Sequence, residues 1–449
     1  MNVIQPKAGI VTKLLKDIDY KQNINYRLSY YTIKQTIPCG ILLYNTLSCE
    51  LISLNAEEAA FLDKLPCSVP EQFKSLVDGL FLVPSDSDEL RYSNQLKSKL
   101  LLLTCEYDVI DYYTIFTTMD CNARCFYCFE HGRKHTYMSK ETAKATADYI
   151  VSHCNEKPVK LSWFGGEPLL NSAVIDIIVR ELKSKNITYL SEMVSNGYLF
   201  DDLLIQKAKN DWNLKDVQIT LDGTEKVYNK RKAYIYHEGN PYMRVINNIR
   251  MLLDADINVV IRMNIDINNQ EDLFMLVDEL AHTFSSAKKP LVYTHPIFEN
   301  FNNDISIEKY KKLSQISNAL TQHIYNYGLG KNKLNHIIPV IGCVAENNRA
   351  ITITPDGLLG KCEHYTDTEY MIGDIQSDKI DDDAIKKWKE KYPTISECTT
   401  CFYYPQCIRL KNCPYNPSFC DSECQENIKL KLQQQMLLAY NECVSFHPE

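Results

Sequence analysis

The sequence predicts an α/β protein: a partial (β/α)6 TIM-type barrel between a small α+β domain and an irregular, cysteine-rich C-terminal domain. Three observations lead to this prediction. Strand-like and helix-like segments alternate six times from residue 112 onward, which indicates a parallel sheet. Shorter strands and helices precede that region, whereas residues 335–424 are mostly turn residues and cysteines. We therefore expect domains at 1–105, 106–330 and 331–449.

Composition narrows the class of protein. The chain has 449 residues and 45% hydrophobic content, which suffices for two or three packed domains. Its net charge is -8 and it has no basic run, so we expect no nucleic-acid partner. The first residues, MNVIQPKAGIVTKLLKDIDY, lack the apolar run of a signal peptide, and no segment approaches the ~18 apolar residues of a membrane span. These features favour a cytoplasmic protein without a membrane partner.

The first hundred residues read as strands followed by helices. β-Branched and aromatic residues predict strands in RLSYYTIKQ, GILLYNT, CELISL and, later, LFLV. Asn55 is expected to begin a helix, AEEAAFLDKL, with Glu58 as its capping-box partner. A second helix, PEQFKSLVDG, ends at Gly79, and DELRYSNQLKSKLLLL forms a connecting helix.

Six segments are the predicted barrel strands, and helical segments separate them. Functional residues of such barrels lie at the carboxyl ends of the strands, and the polar motifs described below fall at those ends. The strands are YYTIFTTM (112–119), VKLSWF (159–164), EMVSN (192–196), DVQITLD (216–222), INVVIRMNI (257–265) and PLVYTHPIF (290–298). Near the end of the chain, LQQQMLLAYNECV predicts a closing helix.

The seventeen cysteines are unevenly distributed. Five are scattered singly, three lie at 121–128, and nine lie between Cys343 and Cys443. Disulfides are not expected in a reducing compartment, and cysteines clustered at short spacing indicate metal or iron–sulfur ligands.

The first cluster is Cys121, Cys125 and Cys128, with the spacing C-x3-C-x2-C directly after the first barrel strand. Three thiolates on one loop can hold three irons of a [4Fe–4S] cluster and leave the fourth iron open to another ligand. A zinc site is an alternative that needs a fourth protein ligand. The second alternative is that the three cysteines pack together without binding a metal.

This loop, with Tyr127 before its last cysteine, resembles that of the radical S-adenosylmethionine (SAM) superfamily. The resemblance implies that SAM binds the open iron and is cleaved to a 5′-deoxyadenosyl radical, which abstracts a substrate hydrogen. Segments after the next three strands resemble the family's SAM-binding motifs. They are WFGGEPLL, VSNGYL and QITLDGTEKVYNKR, which contribute Gly165, Gly166, Glu167, Pro168, Ser195, Asn196, Thr220, Asp222 and Arg231.

The last of these segments departs from the family pattern. The family more often has Ser in place of Thr220 and a His-Asp pair where Tyr228 and Asn229 stand. Arg262 and Asn264, on the fifth strand, are further cavity candidates. The equally weighted alternative is that they only provide hydrogen bonds to polar groups at the end of the barrel.

The C-terminal cysteines resemble the SPASM domain. Cys343-x13-Gly357-x4-Cys362 and Cys398-x2-Cys401-x5-Cys407 match its spacing, and Cys413 then follows after five residues instead of three. The resemblance implies two auxiliary [4Fe–4S] clusters, which makes three with the SAM-binding one. The first auxiliary cluster would be held by Cys343, Cys362 and Cys413. The second would be held by Cys398, Cys401, Cys407 and a late cysteine, for which we favour Cys424 over Cys420 and regard Cys443 as structural.

Seven ligands for two clusters leave one iron of the first auxiliary cluster open. We hypothesise that a substrate thiolate binds there; an indirect protein ligand or water is the alternative. Glu363 follows Cys362 directly, where sulfatase-maturing relatives carry an Asp that accepts a proton. Glu363 is therefore the candidate catalytic base, and a solvated surface glutamate is the alternative.

The N-terminal segment GILLYNTLSCELISLNAEEAAFLDKL resembles the winged-helix-like recognition element of ribosomal peptide (RiPP) maturases. Such a domain binds the leader of a precursor peptide by adding it as a strand to a sheet edge. A purely structural extension is the alternative.

Together these resemblances imply a peptide maturase that uses SAM to install thioether cross-links in a precursor peptide. Flavodoxin or ferredoxin is the expected electron donor. A sulfatase-maturing (formylglycine-generating) enzyme and a maturase that forms carbon–carbon cross-links are alternatives. A third alternative is a non-catalytic scaffold that binds a peptide. The three-cysteine loop and the SAM-type motifs argue against it.

Overall fold

The structure is a computed structural model. It describes residues 1–15, 20–104, 109–130, 132–155, 157–236, 239–285, 288–297, 304–341, 343–377, 379–413 and 420–446. The expected boundary at 105–106 and the predicted end of the sixth barrel strand at Phe298 lie outside these residues.

The N-terminal region is α+β, as predicted. Its elements are β1 (Asn2–Gln5), α1 (Gly9–Leu14), β2 (Asn25–Leu28), β3 (Thr32–Ile37), β4 (Gly40–Asn45), β5 (Leu51–Asn55), α2 (Ala56–Phe61), β6 (Cys67–Ser68), α3 (Lys74–Asp78), β7 (Leu82–Pro84) and α4 (Glu89–Thr104). They form a four-stranded antiparallel sheet in the order β1-β5-β4-β3 and a three-stranded sheet in the order β6-β2-β7.

The segment predicted as one strand at 27–35 is two strands, β2 and β3, in different sheets. The chain turns between them because the buried Ser29 donates its backbone N–H to Phe81 O at 2.9 Å, outside the β3–β4 ladder. Its hydroxyl also donates to the carboxylate of Glu89. A buried polar side chain with these partners ends the first strand, although the local residues all favour extended backbone.

The middle of the chain is the predicted strand–helix alternation. Its elements are β8 (Tyr112–Thr118), α5 (Lys140–His153), β9 (Val159–Gly165), α6 (Ser172–Ser184), β10 (Tyr189–Ser195), α7 (Asp202–Asn210), β11 (Leu214–Thr220), α8 (Glu225–Lys232), α9 (Pro241–Asp254), β12 (Asn258–Ile265), α10 (Gln270–Thr283), β13 (Leu291–Pro296) and α11 (Asp304–Asn326). Strands β8 to β13 lie side by side in chain order, and every neighbouring pair is parallel. Their carboxyl ends therefore meet at one edge, which confirms the predicted partial barrel.

The C-terminal region contains more regular structure than its turn-rich sequence predicts. Its elements are β14 (Ala350–Ile353), β15 (Leu358–Gly360), β16 (Gly373–Asp374), α12 (Asp382–Trp388) and α13 (Ser422–Phe446). All four residues of β14 are buried, and the strand pairs in parallel with β8. It thereby covers the backbone of β8 that would otherwise form an open sheet edge. A four-residue apolar run between cysteines is too short for its pairing to be predicted from sequence.

Helix α13 connects the end of the chain to its beginning. Met436 and Ala439 on α13 are buried in one apolar core with Ile33 and Leu42 of the N-terminal sheet. On the other side of the helix, Gln434 donates to the backbone oxygen of Asn318 on α11. Within the described residues, no helix is both long and apolar enough to cross a membrane.

Asn55 caps α2 as predicted, and this generates a test of the N-terminal fold. Its side chain accepts from Glu58 N at 2.9 Å, and the Glu58 carboxylate accepts from Asn55 N at 3.0 Å. We expect Asn55→Ala to lower the free energy of unfolding by about 1 kcal/mol, because the helix N-terminus loses a hydrogen-bond acceptor. Chemical denaturation of the protein measures this change. Asn55→Asp, which keeps the acceptor, should unfold like the wild type, and equal losses in both variants would contradict the capping role.

Candidate functional site

A cavity of about 500 Å³ lies inside the barrel. Its wall gathers residues from the first cysteine loop, the ends of successive strands and the C-terminal region. Half of the predicted site residues line it, namely Cys121, Cys125, Tyr127, Cys128, Gly165, Gly166, Ser195, Asn196, Thr220, Arg262, Asn264 and Glu363. The volume lies within the range of small-molecule sites.

The loop that carries Cys121, Cys125 and Cys128 is held by backbone hydrogen bonds to the segment after α8. Arg124 N donates to Lys232 O at 2.8 Å, and Ile235 N donates to Asn122 O at 2.9 Å. Asn196, at the end of β10, donates from Nδ2 to Asn122 Oδ1 at 2.6 Å. The three thiols are thus presented by a loop whose backbone is fixed from two sides.

Gly165 and Gly166 allow the end of β9 to touch the start of the cysteine loop. A Cβ on Gly165 would lie 2.1 Å from Thr118 O, and one on Gly166 would lie 2.3 Å from Asp120 O. Gly165 also has φ +134°, which only glycine adopts readily. The two glycines therefore let the backbone after β9 pack directly on the cysteine loop.

Glu167 holds the ends of β9 and β10 together. Its carboxylate is fully buried and accepts hydrogen bonds from Asn196 N at 2.8 Å and Ser195 Oγ at 2.9 Å. Burial raises the pKa of Glu167 to about 7, and the hydrogen bonds oppose that rise. The side chain therefore positions Ser195 and Asn196, which themselves face the cavity.

A buried polar triad stands behind the cysteine loop. The Tyr127 hydroxyl donates to Asp222, and the Lys232 ammonium lies 3.2 Å from Asp222 Oδ2 and 3.1 Å from the Tyr127 oxygen. Burial alone would lower the pKa of Lys232, but Asp222 raises it well above its usual range, so the ammonium stays charged. Asp222 Oδ1 is buried and has no hydrogen-bond partner among the described residues.

Lys232 was not singled out by the sequence analysis, although it follows Arg231 directly in the same motif. Lys232 lines the cavity. Arg231 instead pairs with Asp266, 2.6 Å from Nη2 to Oδ2, and its guanidinium lies 5.0 Å from the centre of the Phe126 ring. The only sequence signal for Lys232 was a basic residue in the last turn of a short helix, which is a common pattern.

The opposite wall of the cavity comes from the last two barrel strands. Arg262 Nε donates to Asn264 Oδ1 at 2.9 Å, and Tyr293 donates to Gln218 Oε1 at 2.7 Å. Burial, together with the charge of Arg262, lowers the pKa of His295 to about 4. His295 is therefore a neutral imidazole at pH 7, and the positive charge of this wall resides on Arg262.

Glu363 reaches the same cavity from the C-terminal region. Its side chain is 35% exposed and lies 3.9 Å from His364 Nε2. The His364 ring packs edge-on against Phe129, with 4.6 Å between centroids. The segment after Cys128 and the segment after Cys362 are therefore in direct contact.

Cysteines of the C-terminal region have two different sets of electrostatic neighbours. Burial raises the pKa of Cys362, and the neighbouring charges that add to this effect include Glu363, Cys343 and Cys413. Burial likewise raises the pKa of Cys407 to about 11, and Cys401 and Cys420 add to it. Cys362 thus neighbours Cys343 and Cys413, whereas Cys407 neighbours Cys401 and Cys420.

The second group surrounds another cavity, of about 410 Å³. Cys401, Cys407, Cys420 and Cys424 line it together, and Cys398 lies close enough to raise the pKa of Cys401. Both cavities include His295 and Ile297 in their walls, so the two spaces adjoin. Cys443 lies nineteen residues beyond Cys424 on α13, about 28 Å along the helix, too far to bind the same group.

The thiols fit iron–sulfur clusters better than single metal ions. Within the described ranges, no three His, Cys, Asp or Glu side chains converge closely enough to hold one ion. Each thiolate of a [4Fe–4S] cluster binds a different iron, so such ligands lie further apart than the ligands of one ion. Burial raises the pKa of Cys121 to about 12 and that of Cys128 to about 11. These thiols therefore need a bound cation to become thiolates at neutral pH.

Gly165 generates a test of the site. We expect Gly165→Ala to displace the cysteine loop, because the added methyl group would overlap Thr118 O. Iron content after anaerobic reconstitution should fall from about twelve to about eight per chain, which corresponds to the loss of one cluster. The matched control is Gly132→Ala, which also has positive φ but no atom within 4 Å of the new methyl group. A Gly165→Ala protein with undiminished iron would contradict the contact's role.

Comparison with known proteins supports this reading of the site. Residues 112–239 match the family model described as a 4Fe-4S single cluster domain. The chain is 27% identical over 279 residues to GTP 3',8-cyclase of Clostridium perfringens, an alignment that covers 57% of this chain and 81% of the relative.

Two solved structures share the fold. Native anSMEcpe with bound AdoMet and Cp18Cys peptide superposes with a TM-score of 0.55 at 15% identity, over 74% of this chain and 99% of that one. SuiB of Streptococcus suis bound to precursor peptide SuiA superposes with a TM-score of 0.52 at 15% identity, over 89% of this chain and 100% of that one. With the cysteine loop and the cavity, these likenesses show that the chain has the partial-barrel fold of radical SAM enzymes, and they support [4Fe–4S] clusters and SAM as its cofactors.

Proposed function

We propose that this enzyme is a maturase that acts on a ribosomally made precursor peptide and installs thioether cross-links. The observation that carries the proposal is the N-terminal α+β region. The superposition with SuiB covers 89% of this chain, whereas that with anSMEcpe covers 74%. The structure bound to a precursor peptide therefore matches a larger part of this chain. The N-terminal region also contains antiparallel sheets, to whose edges a peptide can add as a strand.

The assignment of cofactor ligands is part of this proposal. Cys121, Cys125 and Cys128 hold the first cluster, and Gly165, Gly166, Ser195, Asn196, Thr220 and Lys232 form the wall that SAM faces. When bound, the cluster and SAM supply a 5′-deoxyadenosyl radical, which removes a hydrogen atom from a substrate carbon. The chain itself orients the substrate in the barrel cavity and excludes water from it.

The atoms of a thioether closure balance without an external oxidant. The substrate carbon would lose a hydrogen atom to the 5′-deoxyadenosyl radical, which becomes 5′-deoxyadenosine. The cysteine thiol would lose a proton, and a carbon–sulfur bond would form. The electron spent on SAM cleavage is returned when that bond closes. Each cross-link therefore consumes one SAM and leaves the peptide two hydrogen atoms lighter.

Glu363 is the proposed acceptor of the thiol proton. It lines the barrel cavity and is an electrostatic neighbour of both Cys343 and Cys362. We propose that Cys343, Cys362 and Cys413 hold the first auxiliary cluster with one iron open to the substrate thiol. A carboxylate beside that position can take the proton as the thiolate forms.

The leader of the precursor is proposed to add to the edge strand β3. Lys34 O accepts a hydrogen bond from Gln433 on α13, so the backbone groups of Lys34 point away from β4. Because such groups alternate along an antiparallel strand, those of Thr36 point outward as well. Thr36 O accepts a hydrogen bond from the side chain of Gln35 at 2.9 Å, which an added strand would displace.

The first test is anaerobic incubation of the reconstituted enzyme with SAM, a reductant and the precursor peptide encoded beside it. We expect 5′-deoxyadenosine and a peptide lighter by two hydrogen atoms per cross-link, with one cysteine thiol fewer for alkylation. The Cys121/Cys125/Cys128→Ala variant should fall from about twelve to about eight irons and lose SAM cleavage. Formation of formylglycine in a sulfatase peptide would favour the sulfatase-type alternative. A cross-linked peptide that retains all its thiols would favour carbon–carbon bond formation.

Glu363 generates a separate prediction. Glu363→Gln should lower the rate of thioether formation by about a hundredfold, because the site loses its general base. Release of 5′-deoxyadenosine should persist, since the residue does not take part in SAM cleavage. Glu363→Asp should restore part of the rate, and the exposed Glu369→Gln serves as the control. Equal losses of 5′-deoxyadenosine and cross-linked peptide would contradict the assignment.

A further inference from the structure

The loop between Cys401 and Cys407 is built against the N-terminal region. Thr46 Oγ1 donates to Phe402 O at 2.5 Å, and Lys97 Nζ donates to Tyr404 O at 3.0 Å. The Tyr404 hydroxyl donates to Asn94 Oδ1 at 2.8 Å. Two carbonyls and one hydroxyl of this short loop are therefore bound by residues that precede them by more than three hundred positions.

Gln406, the residue before Cys407, is the centre of this contact. Its side chain is almost completely buried, and both ends of its amide are used. Nε2 donates to Tyr44 OH and to Thr46 O, each at 3.0 Å, while Oε1 accepts from Asn335 Nδ2 at 3.0 Å. A buried amide with these partners fixes the position and orientation of the backbone that carries the next cysteine.

Apolar side chains of the same loop also contact the N-terminal region. Phe402 and Tyr404 pack against the core formed by the N-terminal sheet and α13, which includes Tyr31 and Tyr44. The Lys97 ammonium lies 5.0 Å from the centre of the Tyr404 ring. Phe402 and Tyr404 thus pack against the N-terminal region, whereas Cys401, Tyr403 and Cys407 line the second cavity.

The loop itself has little regular structure to hold its thiols. Its backbone forms one 3-10 turn at Tyr404–Gln406, and ordering the remaining residues costs conformational entropy. Ligands of a metal centre need orientation by neighbouring groups to reach their geometry. Here those neighbours are supplied by the N-terminal region.

We propose that the N-terminal region is the scaffold of the second auxiliary cluster, and that Gln406 is a positioning residue for that cluster. This inference rests on the proposed assignment of Cys401 and Cys407 as cluster ligands. It gives the region a second role beside leader recognition. Removal of residues 1–104 would then cost the enzyme a cluster as well as its peptide-binding edge.

The test uses the full chain with Cys121/Cys125/Cys128→Ala, so that only the auxiliary clusters contribute. Iron, acid-labile sulfide and the EPR spectrum of the reduced protein are measured after anaerobic reconstitution. We expect Gln406→Leu, which keeps the side-chain bulk but not the amide, to lower the iron content from about eight to about four per chain. One of the two reduced-cluster EPR signals should disappear with it.

The matched control is Gln433→Ala. Gln433 also links the C-terminal region to the N-terminal sheet through one amide hydrogen bond, 2.8 Å to Lys34 O, but it does so away from the cysteines. This variant should keep about eight irons. If Gln406→Leu does not fold, the test uses Thr46→Val, which removes only the hydroxyl bonded to Phe402 O. This variant should broaden or weaken the same EPR signal.

The outcomes distinguish the scaffold role of the N-terminal region from the assignment of Cys401 and Cys407 as cluster ligands. About eight irons and unchanged spectra in Gln406→Leu or, where that variant does not fold, in Thr46→Val would overturn the scaffold role and leave the ligand assignment intact. About four irons already in the parent protein would overturn the ligand assignment, and the scaffold role with it.

Discussion

The contact on which the site depends is the close approach of Gly165 and Gly166 to the backbone of Thr118 and Asp120. It joins the end of the second barrel strand to the start of the first cysteine loop, where no side chain would fit. The loop is then fixed on its other side by backbone hydrogen bonds to the segment after α8. A loop that must present three thiols in fixed positions gains its order from these neighbours, because it has no regular structure of its own.

Polar groups around the loop are arranged in two layers. Ser195, Asn196 and Lys232 face the cavity, whereas Glu167 and Asp222 are buried behind them and hold them in place. A buried carboxylate is costly unless it is hydrogen-bonded or paired. Each of these two has such partners, so the carboxylates act through the residues that they orient.

The C-terminal region completes the barrel in two ways. Strand β14 pairs with β8 and closes the sheet edge, and Glu363 and His364 enter the cavity from the following loop. The second cavity adjoins the first at His295 and Ile297. The first cysteine loop and the group around Cys401 and Cys407 therefore line adjoining cavities.

The N-terminal region packs against the C-terminal region. Its core is shared with α13, and its turn after β4 binds the loop between Cys401 and Cys407. This arrangement links the region proposed to recognise the peptide to the region proposed to hold the last cluster. A change in either therefore affects the packing of the other.

The sequence by itself determined the strand–helix alternation, the cap at Asn55 and the place of the three-cysteine loop after the first barrel strand. These features depend on local periodicity and on spacing along the chain, which can be read directly. Only the tertiary structure decided that Lys232 faces the cavity, that residues 25–37 form strands of two sheets, that β14 closes the barrel edge, and that Gln406 is held by the N-terminal region. Each of these depends on contacts between residues that are distant in the chain or on which face of a short helix is buried. Such choices are set by the free energy of packing the whole molecule, which no short segment encodes.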